Sequence, residues 1–148
     1  MIKLQGTRFG DIEVQEGNEL VFPRGLFGFP EQKRYALLYP GGQGRVAWLQ
    51  SLDMPSLAFP IVDGAILGPD YPKPGPTQLA QDAGLGSDDV AVVVVIAGGK
   101  SRGLVANMLA PLVIDRTSRT GAQIVLDPDL YSPSAQIRPP GTQIEAQR

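Results

Sequence analysis

Glycine and proline recur along the whole chain, and they constrain its fold more than any other feature. The 148 residues include 18 glycines and 14 prolines, about a fifth of the sequence where roughly an eighth is usual. Proline removes a helix donor, and glycine costs roughly 1 kcal/mol inside a helix. We therefore expect a mainly β fold, in which many turns join short strands and at most one or two short helices occur.

The hydrophobic pattern predicts where several strands lie. Residues 2–5 and 11–15 alternate between apolar and polar side chains, which is typical of half-buried strands. Residues 90–96 lack this alternation and are rich in β-branched side chains, which predicts a strand buried on both faces. Pro60 cannot donate a backbone hydrogen bond, so the strand around it is expected at a sheet edge or a bulge.

One short helix and a tail complete the predicted organisation. Thr77 is a candidate cap for a helix that runs to Ala83 and ends at Gly84. The length fits a single domain, which we place at residues 1–131. Residues 132–148 are polar and contain three prolines, so we expect a mobile C-terminal tail.

The chain contains no histidine and no cysteine. This composition excludes disulfides, thiolate nucleophiles, the usual zinc sites and every histidine-based triad. Any general base would have to be Asp, Glu, Lys or Tyr. We expect no catalytic residues, no metal and no cofactor. The formal net charge of −2 creates no global basic field for nucleic acid. Residues 90–97, the longest apolar run, fall far short of the ~20 residues of a membrane span. A soluble, cytoplasmic protein without membrane or direct nucleic-acid contacts is expected.

Charge is unevenly distributed along the sequence. Residues 53–89 contain six acids and one base, whereas residues 98–121 contain four bases and one acid. Such blocks form either ordinary solvated surface or a dipolar surface that steers a basic partner to one side. On the second interpretation, the candidate contact residues are Asp70, Asp82, Asp88 and Asp89.

An apolar loop supplies two further candidates, Phe27 and Phe29. Their segment is similar to an aromatic RNA-binding strand, but it carries one residue too many, and Pro30 interrupts it, so the two rings would not share a strand face. The rings either plug the edge of the core or form a docking patch for a partner. Asn107 is also open to two interpretations, since its amide could satisfy backbone groups near the Pro111 break or contact a partner.

A rival class of function is an enzyme or a small-molecule-binding β-barrel. In a chain without histidine or cysteine, such a site would use Asp or Tyr side chains, for example Asp63 and Tyr71 in a barrel mouth. Converging polar groups with strongly perturbed carboxylates would favour this alternative.

Four segments together carry a specific resemblance. They are FPRGLFGF at 22–29, WLQS at 48–51 followed by LAF at 57–59, NMLAPLVI at 107–114, and QIVL at 123–126 with YS at 131–132. In this order and spacing, the chain resembles the flagellar assembly factor FliW family, whose first motif has the shape F-P-x-G-L-x-G-F. Ala122 departs from the family pattern, in which a basic residue usually precedes the glutamine.

The resemblance implies a non-enzymatic protein built as an irregular, mostly antiparallel β pseudo-barrel. It also implies two alternative partners. Family members bind flagellin in the cytoplasm, and when flagellin is scarce they bind the RNA-binding regulator CsrA and relieve its repression of flagellin translation. An acidic surface suits such a regulator, because cationic residues are what attract phosphate to an RNA-binding protein. We expect the free protein to be a monomer.

Overall fold

The chain folds mainly as β-strands. The computed structural model describes residues 1–40, 42, 46–99 and 103–137. Within these ranges one α-helix, α1, spans Pro76–Asp82, and 3-10 turns span Glu16–Asn18 and Gly64–Leu67. The strands are β1 (Ile2–Thr7), β2 (Gly10–Val14), β3 (Glu19–Val21), β4 (Arg34–Leu38), β5 (Ala47–Ser51), β6 (Ala58–Asp63), β7 (Val90–Gly99), β8 (Gly103–Ala106), β9 (Leu112–Asp115), β10 (Thr120–Gln123) and β11 (Ala135–Ile137).

Seven strands form a closed ring of hydrogen bonds. Their order is β3–β4–β5–β6–β7–β9–β10, and β10 returns to β3. Every neighbouring pair is antiparallel except β10 and β3, which run parallel and meet at the single pair Thr120 and Val21. β8 and β11 extend the sheet from β7, and β1 and β2 form a separate hairpin. The expected mainly β, mostly antiparallel and irregular barrel-like fold is confirmed, although the ring is not a strict barrel.

The long strand β7 separates two hydrophobic clusters. Val92, Val94 and Ile96 are buried in the cluster outside the ring, where α1 covers them. Ala91, Val93 and Val95 are half-buried against the cluster inside the ring. Both faces therefore contact apolar groups, as the missing alternation predicts.

The expectation for Pro60 is wrong, because β6 is a strand of the ring and pairs with β5 on one side and β7 on the other. Pro60 stands opposite Trp48 of β5, and the nitrogen of Ser51 donates to the oxygen of Leu57 at 3.0 Å. Hydrogen-bonded pairs alternate along an antiparallel ladder, so the Pro60 nitrogen faces away from β5. The pairing of β6 with β7 begins only at Ile61. A central strand thus accommodates a proline where no donor is required.

Helix α1 begins one residue before the predicted cap. Gly75 is the N-cap and Pro76 occupies the first turn, where the missing proline donor is not needed. Leu79 and Ala80 are buried against the outer cluster. Gly84 follows the helix with φ of +77°, which favours glycine at this stop.

The segment expected to form the tail contains a strand. Ala135–Ile137 pairs with β8 in antiparallel register. Residues 138–148 lie outside the described residues, so the mobility expected of the tail stays a prediction. None of the described helices is long and apolar enough to cross a membrane.

Aromatic rings fill one end of the ring of strands, which we call the plugged end. Phe22 and Tyr35 are fully buried, and their ring centroids lie 5.7 Å apart in an edge-to-face arrangement. Phe59 packs beside Tyr35 and contacts Phe29 at 5.5 Å. A Cβ atom added to Gly121 would lie 2.5 Å from the Phe22 ring. Only glycine therefore lets β10 approach this aromatic layer.

Candidate functional site

The loop between β3 and β4 holds the two candidate phenylalanines in different environments. Gly25 has φ of +68°, and an added Cβ would lie 2.6 Å from the Phe29 oxygen, so the loop is too tight for a larger residue. Leu26 is buried and bridges to Phe29 through the backbone. Phe29 is half-buried against Phe59, whereas Phe27 points outward and is 57% exposed. One ring plugs the core edge, and the other is free to contact a partner.

A groove of about 480 Å³ runs beside the exposed ring. It lies between this loop, β10 and the end of α1. Phe27 and Arg24 line one side, Asp82 and Leu85 line the other, and Ile124 follows β10 along the groove. We call it the Phe27 groove. It brings two of the predicted contact residues, Phe27 and Asp82, into one concave surface.

Gln123 organises this groove. Its Oε1 accepts a hydrogen bond from the Phe27 nitrogen at 2.7 Å, and its Nε2 donates to the Ala110 oxygen at 3.0 Å. The side chain therefore ties the loop to the strand end and fixes the direction of Phe27. The sequence identified Gln123 only as part of the QIVL motif and did not indicate this role. The available signal was a polar residue within the otherwise apolar run of residues 122–126.

Asp82 is held in place by its own helix. Its Oδ1 accepts a hydrogen bond from the Gln78 Nε2 at 2.8 Å, four residues earlier on the same face. The carboxylate stays exposed at the helix end. Among the described residues it is in no ion pair, so it can meet a cationic group of a partner directly.

Asp89 lies elsewhere and already has a cationic neighbour. Its Oδ1 lies 2.9 Å from the Arg116 Nε, and its backbone oxygen accepts from the Arg116 nitrogen at 2.9 Å. This pair joins the acidic block to the basic block, so their charges are not separated at this point. Asp88 is exposed beside it. Lys100 and Arg102 of the basic block lie outside the described residues.

Asp70 and Asn107 lie in a third region. Asp70 lines a shallow pocket of about 290 Å³ with Tyr71, Met108 and Tyr131. The Asn107 Oδ1 accepts a hydrogen bond from the Ala110 nitrogen at 3.1 Å. This is the backbone contact expected of its structural alternative, and a role in partner contact stays a prediction.

The two residues of the rival enzymatic interpretation line different cavities. The hydroxyl of Tyr71 donates to the Met108 oxygen at 2.9 Å, and burial, with a smaller effect of Tyr131, raises its pKa. Asp63 caps the following 3-10 turn by accepting from the Ala65 nitrogen at 2.9 Å. No group of three or more potential metal ligands occurs among the residues that the structure describes.

Comparison with known proteins identifies the family. The model of the FliW protein family matches residues 3–137. The flagellar assembly factor FliW of Syntrophus aciditrophicus (strain SB) is 36% identical over 128 residues, which cover 85% of this chain and 81% of that protein. The protein of the same name from Heliobacterium modesticaldum (strain ATCC 51547 / Ice1) is 31% identical over 147 residues, with 98% and 96% covered.

A solved structure agrees with the sequence comparisons. The crystal structure of the flagellar assembly factor FliW matches with a TM-score of 0.78 and 27% identity, and the match covers 95% of this chain and 99% of that chain. Family model, relatives and three-dimensional fold thus coincide over nearly the same residues. The chain belongs to the FliW family of flagellar assembly factors.

Proposed function

We propose that this protein is a non-enzymatic regulator of flagellar assembly that acts in the cytoplasm as a monomer when free. It binds flagellin and, alternatively, a CsrA-type RNA-binding regulator, whose repression of flagellin translation it relieves. It contacts neither nucleic acid nor membrane directly and needs no cofactor. Family membership supports the protein partners, and the Phe27 groove supports a place for one of them.

The observation that carries the proposal is the exposed Phe27 ring beside the exposed Asp82 carboxylate. Isolated apolar side chains on a surface are common, but this ring lines a concave groove and is oriented by Gln123. Aromatic anchors in pockets dominate many protein interfaces. A neighbouring carboxylate without a cationic partner in the described part of the chain adds attraction for a basic protein.

The other acids differ in how freely they can contribute. Asp89 is paired with Arg116, and Asp53 accepts two hydrogen bonds from Arg34 at 3.0 and 3.3 Å. Asp70 and Asp88 are exposed and have no ion pair within the described ranges. These two carboxylates can accelerate association by long-range attraction, whereas Asp82 is positioned for direct contact.

Titration calorimetry with purified flagellin and with a CsrA-type dimer tests the proposal. We expect Phe27→Ser and Asp82→Lys each to weaken binding of at least one partner about tenfold or more. Both residues are exposed, so the variants should keep the melting temperature of the wild type.

Two matched variants control for general effects. Leu130→Ser removes an equally exposed apolar side chain, and Asp70→Lys makes the same charge change as Asp82→Lys at the Tyr71 pocket. An unchanged affinity for Leu130→Ser supports the groove, as does a loss for Asp70→Lys that disappears at high salt while the loss for Asp82→Lys remains. If Asp70→Lys alone weakens binding, the contact lies at the Tyr71 pocket instead. If the wild type binds neither partner at low salt, the proposed function is refuted.

A further inference from the structure

A second cavity lies inside the ring, at the end opposite the plugged end. It has a volume of about 430 Å³, within the range typical of small-molecule sites. Its walls are inward-facing apolar side chains from six strands of the ring, namely Leu20, Leu37, Ala47, Ile61, Val93 and Ile114. We call it the ring cavity. It reaches the surface at Tyr39 and Ile66, which are 42% and 51% exposed.

The ring cavity owes its shape to small side chains. Ala47 and Ala91 stand where larger residues would fill the interior, while Phe22 and Tyr35 fill the opposite end completely. Leu37, Ala91 and Val93 remain half-buried although they face the inside of the ring. The walls therefore offer apolar surface that a ligand of matching width could cover.

The cationic groups at the cavity are two arginines. Arg116 and Arg119 line it together with the carboxylate of Asp63. Arg116 is already paired with Asp89 at 2.9 Å, so Arg119 is the main cation that a ligand could meet. Asp63 accepts a hydrogen bond from the Ala65 nitrogen, which satisfies one of its carboxylate oxygens. Arginine presents several donors in a planar fork that matches a carboxylate.

Arg119 is held by neutral groups. Its Nε donates to the backbone oxygen of Glu19 at 2.9 Å, and its Nη2 donates to the backbone oxygen of Asn18 at 2.7 Å. These carbonyls orient the guanidinium without neutralising its charge. In the described part of the chain, no carboxylate lies within ion-pair distance of Arg119. The cation is therefore fixed in position and available to an anion.

We propose that the ring cavity binds a small amphiphilic carboxylate, whose aliphatic chain lies among the apolar walls and whose carboxylate meets Arg119, with Arg116 nearby. The class is a medium-chain monocarboxylate. The proposal concerns a different end of the molecule from the Phe27 groove and does not depend on either protein partner.

Decanoate is the probe, with decanol as its uncharged counterpart. Titration calorimetry below the micellar range should show saturable binding of decanoate by the intact chain, and decanol should bind about tenfold more weakly. In NMR spectra, decanoate should shift the amide signals of the cavity walls and leave those of the Phe27 groove unchanged. Absence of saturable decanoate binding, or equal binding of decanol, overturns the proposal.

Two alanines on the same strand supply matched variants. Ala91→Leu fills the cavity, whereas Ala97→Leu makes the same change at an exposed position of β7. We expect at least a tenfold loss of decanoate affinity for Ala91→Leu and none for Ala97→Leu. Equal losses contradict the assignment to this cavity.

A third variant keeps the test decisive if Ala91→Leu does not fold. Arg116→Gln removes an exposed cation from the cavity lining and leaves the Asp89 carboxylate without its ion-pair partner. It should weaken binding of decanoate several-fold and leave binding of decanol unchanged. An unchanged affinity for decanoate, or an equal loss for both probes, counts against recognition of the carboxylate.

Discussion

The two ends of the ring are built from the same strands but are held together differently. At the plugged end, Phe22, Tyr35 and Phe59 interlock, and β10 approaches them through Gly121. At the other end the interior contains a cavity of about 430 Å³, and polar contacts hold the chain segments around it. These contacts include the bonds of Arg119 to two backbone carbonyls.

This difference separates stability from binding capacity. Tight aromatic packing excludes ligands and makes each removed atom costly. Polar contacts around a cavity contribute less each, and they depend on pH and on exact hydrogen-bond geometry. We therefore expect substitutions at the plugged end to affect global stability, and substitutions at the cavity end to have smaller effects with specific signatures.

The largest expected effect is at Phe22. Phe22→Ala should lower the free energy of unfolding by about 3–5 kcal/mol, because the Phe22 side chain is fully buried and its removal leaves a cavity. Leu37→Ala, at the half-buried wall of the ring cavity, should cost less than about 2 kcal/mol. Urea unfolding of both variants measures the contrast. If the two costs are equal, the ends are not packed differently.

An intermediate effect is expected at Arg119, the described non-glycine residue with a positive φ, at +58°. Arg119→Ala should cost about 2 kcal/mol, because it removes two hydrogen bonds from a charged donor. Arg119→Gly should cost up to about 1 kcal/mol less, because glycine adopts this backbone conformation without strain. Chemical unfolding measures both costs, and equal values for the two variants contradict the strain argument.

Hydrogen exchange at Val21 localises the Arg119 effect. The Val21 nitrogen donates to the Arg119 oxygen at 3.0 Å, beside the parallel contact that closes the ring. Faster exchange at this amide in Arg119→Ala, with unchanged exchange in β5, would place the loss at the seam. A uniform increase would indicate global destabilisation instead.

The smallest expected effect is at Asp115, at the end of β9, and it depends on pH. The Ser118 hydroxyl donates to its Oδ2 at 2.8 Å and, with the Thr117 and Ser118 nitrogens, lowers the pKa of Asp115 below its ordinary value. A lowered folded-state pKa contributes stability above the unfolded value of about 3.9, and this contribution is lost as pH falls through the folded value. Asp115→Asn should therefore be less stable than wild type at pH 7.

The difference between wild type and Asp115→Asn should shrink as the pH falls below about 4. Urea unfolding between pH 7 and pH 3 measures this change. Phe22→Leu serves as the comparison from the plugged end, because its cost arises from apolar packing and should keep the same size over this range. A pH-independent difference for Asp115→Asn would show that the carboxylate charge is not what stabilises this turn.

Local patterns predicted the element types better than their pairing. The β-branched run in β7 and the glycine that ends α1 have local physical causes, and both predictions were correct in kind. The closure of the ring through Thr120 and Val21 has no local pattern, because it joins residues about a hundred positions apart by a single pair. The placement of Pro60 in a central strand likewise depends on where β7 begins to pair.

The candidate groove was predictable only in part. Phe27 stood out as an apolar residue in a glycine-rich loop, and Asp82 stood out in an acidic block. Their proximity arises from the path of β10 between them, which tertiary pairing determines. The ion pair of Asp89 with Arg116 was hidden for the same reason, since 27 positions separate the two residues.

The single parallel contact between β3 and β10 has a consequence for folding order. Closing so long a loop costs entropy before any contact compensates for it, so we expect this contact to form late in folding. The Phe27 groove uses residues from both sides of this seam and from α1. A partner that binds the groove would therefore recognise only molecules whose ring of strands has closed, and its binding would stabilise the closed ring.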